Sequence, residues 1–440
     1  MVLALLGPVA AGGGEVPSRT AAQRWWEATW ARHTRAVFRN LHPAAAVPYR
    51  GPPPLPAPKG ILKAVKQVAE DGTVPRDGSE PDTTVEPSIA VDPNDPLDVV
   101  AVFQQDRFGN GGSVDPGYAT SLDGGRTWTS GNFQGVTIFA GGPYDRASDP
   151  WVAFGPQGQV YAALLGIGDT LCPTGIDVLR SDDGGITWND PVEVQRDDDC
   201  EVLNDKDSIA VDTYPSSPHF GRVYVSWDRI ANGQPVHVRY SDDQGQTWSP
   251  DEAISGLTAG TGADVQVQPS GDVTVIYDDV SDGSMVSQTS SDGGETFGPI
   301  RNIGRDLGSE PPDQRSGAGF PTAAVDPVTG VLYAAWQDTR FRSDGVNDIL
   351  VWSSTDSGST WSGPVKANPD PDGSGLDHMT PGMAAANGRV HVEYFRRRKL
   401  GDQYSIYVQP AYVSSSDGGT TWSDETLLGR PANLTWAAQA

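Results

Sequence analysis

Chemistry in this chain would have to come from the segments that break its regular pattern. The stretch YDRASDPW carries Tyr144, Asp145, Arg146 and Asp149, and LNDKDS carries Asp205, Lys206 and Asp207. Further on, LDHMTPG supplies His378, and VEYFRRR supplies Glu393, Tyr394, Arg396 and Arg397. An aspartate can give or take a proton when its surroundings set its pKa, and an arginine grips a carboxylate through two parallel N–H bonds. A second set recurs along the chain: Asp106 with Arg107 in FQQDRF, Asp228 with Arg229 in SWDRI, Asp278 with Asp279 in IYDDV, and Asp338 with Arg340 in WQDTRF. A catalytic centre needs each role filled once, so this repetition points to structural pairing of buried charges. Several arginines on one rim also make a clamp for an acidic ligand. Each singled-out residue has a plainer role beside the chemical one, capping a loop or pairing with a neighbouring charge.

The elements that position these residues are read from a repeat. An octet recurs as SLDGGRTW (121–128), SDDGGITW (181–188), SDDQGQTW (241–248), SSDGGETF (290–297), STDSGSTW (354–361) and SSDGGTTW (415–422). Its central aspartates, Asp123, Asp183, Asp243, Asp292, Asp356 and Asp417, stand 60, 60, 49, 64 and 61 residues apart. In each octet the aspartate can accept backbone N–H bonds, the fifth-position glycine permits φ > 0, and the aromatic residue buries the turn, which are the needs of a tight hairpin. Upstream of each octet lie two short apolar strands around a Pro, Gly, Asn or Asp turn, as in TAAVDPVTGVLYAAW. A unit holding one hairpin, a strand, the octet and another strand is a four-stranded antiparallel sheet. Six in series predict an all-β, six-bladed β-propeller over residues 81–440. In such blades the octets and the tight hairpin turns share one end. A ligand site is therefore expected at the other end, just before the first strand or just after the second.

The rest of the chain narrows the class of function. The N-terminus, 1–19, reads as a weak, truncated signal peptide or a disordered stretch. Residues 20–41 predict an amphipathic helix with Trp26, Trp30, Val37 and Leu41 on one face, and 42–80 form a proline-rich linker. With 57 acidic against 31 basic side chains the net charge of −26 repels nucleic acid. No apolar run is long enough to span a membrane, the weak N-terminal signal makes a secreted, extracellular protein the expectation, and a monomer is expected. Sequence alone leaves open whether Cys172 and Cys200 form a bridge. The acidic run QRDDDCEVLNDKD offers carboxylates for a structural calcium ion but lacks the spacing of a calcium loop, so a solvated loop is the favoured reading. No cofactor is called for.

The octets resemble the Asp-boxes, S-x-D-x-G-x-T-W, of the sialidase superfamily, and the six matches cover residues 84–430. That resemblance implies a propeller and, for sialidases, an arginine triad for the substrate carboxylate, a tyrosine nucleophile assisted by a glutamate, and an aspartic acid/base. The F/Y-R-I-P signature of the first arginine is missing; the first repeat begins TVEPSIAV. By position alone the resemblance assigns Arg146, Arg229 and Arg340 to the clamp, Tyr394 to the nucleophile and Asp149 to the acid/base, with Arg107, Tyr144 and His378 as further substrate contacts. Glu393 adjoins Tyr394 on a strand and points to the other face, so no glutamate partner is identified. The implied activity is a sialidase-like glycoside hydrolase acting on acidic or terminal sugars. The alternatives are a polysaccharide lyase, with His378 or Tyr394 exchanging the proton, and a non-catalytic propeller that binds glycan or protein.

Overall fold

The computed structural model describes residues 68–434 apart from 70, 110, 232, 257–258 and 313–316. The expected leader, helix and most of the proline-rich linker lie outside the described residues. Within them the fold is all-β, the single exception being one turn of 3-10 helix at Ile138–Ala140.

The alternating apolar segments form antiparallel strands in groups of four. Unit one holds Thr84–Val91, Val99–Arg107, Ser113–Ser121 and Thr129–Asn132; unit two holds Arg146–Phe154, Val160–Ile167, Thr174–Ser181 and Val192–Asp197. Unit three is built of Leu203–Val211, Val223–Ile230, Val236–Ser241 and Glu252–Ala253, and unit four of Gly260–Val267, Val273–Asp279, Ser284–Ser290 and Arg301–Arg305. Unit five contains Thr322–Val325, Leu332–Asp338, Asp348–Ser354 and Ser362–Lys366. Unit six contains Leu376–Ala386, Arg389–Leu400, Gln403–Ser415 and Thr426–Leu427, with Ala432–Asn433 on the edge of its third strand. Units one and two are joined by the pair Ser113–Ala147, and no sheet closes on itself among the described residues. First strands of successive units touch one another from unit one through unit six, an arrangement consistent with a propeller.

The core lies between units rather than within one. Val100, Val102, Val152 and Phe154 pack units one and two together, and Tyr161, Ile176, Ile209 and Trp227 do the same for two and three. Tyr224 and Tyr277 fill the next interface, Ile276 and the stacked pair Trp336–Trp352 the one after, and Tyr333, Val392 and Tyr394 the last. Small and β-branched residues on the strands let these flat faces approach, each burying its apolar surface on the neighbour.

Every octet lies between the third and fourth strands of its unit, where the repeat places it. In the second, the Thr187 amide and hydroxyl donate to Asp183 at 2.8 and 2.6 Å, the Gly185 amide donates to Ser181 Oγ at 2.9 Å, and Trp188 Nε1 donates to the Gly185 carbonyl at 3.1 Å. The octet also bonds to the preceding unit: Thr120 Oγ1 donates to the Gly185 carbonyl, and in units four and five Thr289 Oγ1 donates to that of Ser357, both at 2.8 Å. The octet is thus a fastener within and between units. Its end of the molecule is shared with the first hairpin turns, since the Gly124 amide donates to the Leu97 carbonyl and the Gly418 amide to that of Gly388.

The opposite end is built differently. The first strand carries a bulge in five units, with register breaks beside Glu86, Asp149, Lys206, Gly262 and Thr380. All five bulged residues have positive φ, from 48° at Asp149 to 67° at Gly262. Four are not glycine, and holding such a residue there costs about 1–3 kcal/mol, so neighbouring contacts must enforce it. Glu86, Asp149 and Thr380 stand directly before a proline, whose ring already bars the right-handed helical region.

Candidate active site

The bulges aim charged side chains at one another. Lys206 Nζ lies 2.9 Å from Asp149 Oδ2, and these side chains are only 7% and 3% exposed, so solvent screens the pair little. Ser148 Oγ donates to Asp149 Oδ1 at 2.7 Å, and Gln104 Nε2 donates both to Ser148 Oγ at 3.1 Å and to Glu86 Oε2. Arg107, fully buried, donates from Nη1 to Gln104 Oε1 at 3.0 Å and faces Glu86 Oε1 at 3.7 Å. From unit five, the Phe320 ring lies 5.4 Å from Lys206 Nζ and covers Gly262, where a Cβ would come within 2.5 Å of the ring. First-strand ends of units one, two, three and four, with the segment entering unit five, therefore converge on Lys206.

The electrostatics of this cluster are divided. Burial alone would raise the Asp149 carboxyl, but the Lys206 ammonium and the Ser148 hydroxyl overcome it and hold the group below the usual carboxylate range. Burial would likewise depress Lys206; Asp149, Asp205 and Glu86 hold it above the ordinary lysine range. Asp205, Asp207 and Asp228 go the other way. Burial raises all three, with Asp149 adding to the effect at Asp205 and Asp207, and Asp205 adding to it at Asp228. Among the described residues neither oxygen of Asp207 meets a hydrogen-bond partner, whereas Asp228 Oδ2 accepts from Gln234 Nε2 at 2.6 Å and from Thr261 Oγ1 at 3.2 Å. A carboxylate held below the usual range beside carboxyls raised above it, Asp205 to about 6, is an arrangement suited to general acid catalysis with an anionic partner.

The residues singled out from sequence fall in several places. Asp149 and Arg107 are in this cluster. Arg146 stacks on Phe108 at 4.1 Å and donates to the Gly111 carbonyl at 3.1 Å. Arg229 grips Asp197 with bonds of 3.0 and 2.6 Å, and Arg340 grips Asp338 with bonds of 2.8 and 2.7 Å, so each is held by a carboxylate near its own strand. Tyr144 is buried with the Arg196 guanidinium 5.4 Å from its ring. Tyr394 sits in the packing layer between units five and six, its hydroxyl donating to Glu425 Oε1 at 2.9 Å. Burial and the Glu425 carboxylate push that hydroxyl far above the usual tyrosine range. His378 stands edge-on to the Tyr394 ring with centroids 5.3 Å apart. Tyr394 and His378 thus meet each other and Glu425, while Asp149 meets Lys206 and Ser148.

Three residues escaped the sequence reading as partners. Glu425 is 31 positions from Tyr394 and follows the last octet; Asp370 follows unit five; and Lys206, noticed as an irregularity, was not paired with Asp149, 57 positions away. The irregularity at Lys206 was itself the available signal. As for metals, the acidic run 195–207 is dispersed, with Asp197 on Arg229, Asp198 on Arg196, and Asp205 and Asp207 buried in the cluster. Among the described residues the one group of three suited to an ion is Asp370, His378 and Glu425.

Comparison with known proteins agrees with the repeat and the architecture. The BNR/Asp-box repeat family matches residues 239–250. A sialidase of Micromonospora viridifaciens is 29% identical over 201 residues, which cover 42% of this chain and 29% of that protein. The resemblance is to the sialidase superfamily. Among solved structures, the Hadza microbial sialidase Hz136 is similar with a TM-score of 0.51 at 17% identity, over 72% of this chain and 64% of that one. The intramolecular trans-sialidase from Ruminococcus gnavus, in complex with oseltamivir carboxylate, gives 0.50 at 14% identity, over 74% and 92%. At such identities the sialidase structures speak for the fold. The match spans less than a third of the curated sialidase and just under two thirds of the Hadza enzyme.

Proposed function

We propose that the protein is a sialidase-like glycoside hydrolase, a six-bladed propeller that removes terminal sugars from extracellular glycans. The observation that carries this reading is the buried cluster at the converging first-strand ends, where Lys206 pairs with Asp149 at 2.9 Å beside Asp205 and Asp207, whose carboxyls burial raises, Asp205 to about 6. In this reading Asp205 protonates the leaving glycosidic oxygen, and Asp149 supplies the negative charge that stabilises an oxocarbenium-like transition state. Lys206 keeps the two roles apart by fixing Asp149 in its charged form. Tyr394 is paired with a glutamate, Glu425, but is given no part because its side chain is buried between units. The joined pair Cys172–Cys200 supports an oxidising, extracellular setting, and among the described residues no helix is long and apolar enough to cross a membrane.

The test is a panel of fluorogenic terminal glycosides, sialosides and neutral pyranosides and furanosides alike, offered to the native protein. Release of a reducing sugar from one class supports hydrolysis. An unsaturated sugar absorbing in the near ultraviolet would replace the reading with a lyase, and silence across the panel would leave a binding propeller.

A further inference from the structure

A second charged cluster, independent of the axial site, lies between units five and six. His378 is completely buried, and its Nδ1 lies 3.1 Å from the Asn347 carbonyl oxygen. A carbonyl oxygen only accepts, so Nδ1 is the nitrogen that donates here and Nε2 is the one turned to the other side of the ring. Nε2 faces two carboxylates, with Asp370 Oδ2 at 2.9 Å and Glu425 Oε1 at 4.0 Å. Among the described residues neither His378 Nε2 nor Asp370 Oδ2 has a well-aligned hydrogen-bond partner, and both are buried. One atom from each of Asp370, His378 and Glu425 is thus turned on a common point.

We propose that Asp370, His378 and Glu425 bind a first-row divalent metal ion of the zinc class. The three ligand atoms lie within 4.8 Å of one another. Tetrahedral bonds of ~2.0–2.2 Å set neighbouring ligand atoms ~3.3 Å apart, and the observed 2.9 and 4.0 Å bracket that spacing. The Asn347 carbonyl supplies the outer contact that orients a metal-bound imidazole. Arg396 engages Oε2 of Glu425, while Oε1, which accepts the Tyr394 hydroxyl at 2.9 Å, is the oxygen turned toward His378. Calcium is the wrong ion, since it takes six or more oxygens and an imidazole offers none. The ligands come from the segment leaving unit five, the first strand of unit six and the start of its outermost strand. The ion would therefore clamp the last two units together.

The full-length protein, stripped with a chelator and dialysed, is titrated with Co²⁺ and separately with Zn²⁺. One equivalent of Co²⁺ is expected to give the visible absorption of a four-coordinate site, displaced by Zn²⁺, and Zn²⁺ is expected to raise the urea midpoint reversibly. His378→Gln and Asp370→Asn should lose the spectrum, and Tyr394→Phe should shift it. The proposal is overturned if the native protein takes up no stoichiometric metal, if His378→Gln binds as well as the native chain, or if the His378 ring carries protons on both nitrogens in the presence of excess Zn²⁺. That last measurement is made on the native protein and needs no variant to fold.

Discussion

Replacing Lys206 with methionine keeps the length of the side chain and removes the cation 2.9 Å from Asp149. Both side chains are almost wholly out of solvent, so breaking the pair strands a buried charge, at a cost of ~3–5 kcal/mol. Lys206→Met should lose about that much in urea unfolding at pH 7, followed by the fluorescence of the tryptophans. The double variant Lys206→Met/Asp149→Asn removes both charges and should recover most of the loss, because two neutral side chains carry no stranded ion. The pH dependence has a definite sign. Asp149 titrates below its unfolded value, so its contribution is present above pH ~3.9 and is lost as pH falls through the folded value. Lys206 titrates above its unfolded value, so its contribution is complete below pH ~10.4 and is lost as pH rises through the folded value. In Lys206→Met the ammonium no longer opposes burial, although the Ser148 hydroxyl still does, so the Asp149 pKa rises and stability should fall with rising pH above ~4. A Lys206→Met midpoint equal to the native one, or a double variant that simply adds a second loss, would refute the reasoning.

Three further predictions concern the scaffold. The Cys172–Cys200 bridge spans 28 residues, and chain entropy assigns it ~3.5 kcal/mol, so the double serine variant should unfold at a correspondingly lower urea concentration. An unchanged midpoint would mean that the loop is ordered without the bridge. Burial pushes Asp115 up to about 7 against the ordinary 3.8, although the Thr137 hydroxyl and Asn132 amide pull the other way. Its folded form keeps a proton that the unfolded chain releases, so native stability should fall between pH ~4 and ~7, by at most ~4 kcal/mol; Asp115→Asn should flatten that slope. A Cβ at Gly175 would lie 2.1 Å from the Tyr144 hydroxyl and 2.8 Å from the Gln195 carbonyl. Gly175→Ala should therefore cost ~1–3 kcal/mol, and Tyr144→Phe should relieve part of it; equal losses with and without Tyr144→Phe would place the clash elsewhere.

The repeat made the scaffold legible because each octet carries its own turn chemistry: Asp183 and Thr187 bond within four residues, so spacing alone reports them. Topology then singled out the end opposite the octets, and the bulges at Asp149 and Lys206 lie there. What local pattern could not reveal were partners set by packing between distant segments. Arg229 meets Asp197 from 32 positions away, and Arg340 folds back on Asp338, so arginines that looked like a clamp are already occupied. Tyr394 reads as a reactive side chain on an alternating strand, yet its face is the one that packs against unit five. The bulges were half visible, in the prolines after Glu86, Asp149 and Thr380; at Lys206 no proline marks the turn.

The account stands or falls on Asp205 and Asp149 acting on substrate. The decisive measurement is kcat/KM on the preferred glycoside for the native protein, Asp205→Asn and Asp149→Asn, with the urea midpoint of each. Loss of a positioned proton donor costs ~10²–10⁴-fold. Asp205→Asn should fall by that factor, with a midpoint at or above the native value, because it replaces a buried carboxyl that burial raises to about 6; Asp149→Asn should fall as far. Native turnover in both variants would contradict the account.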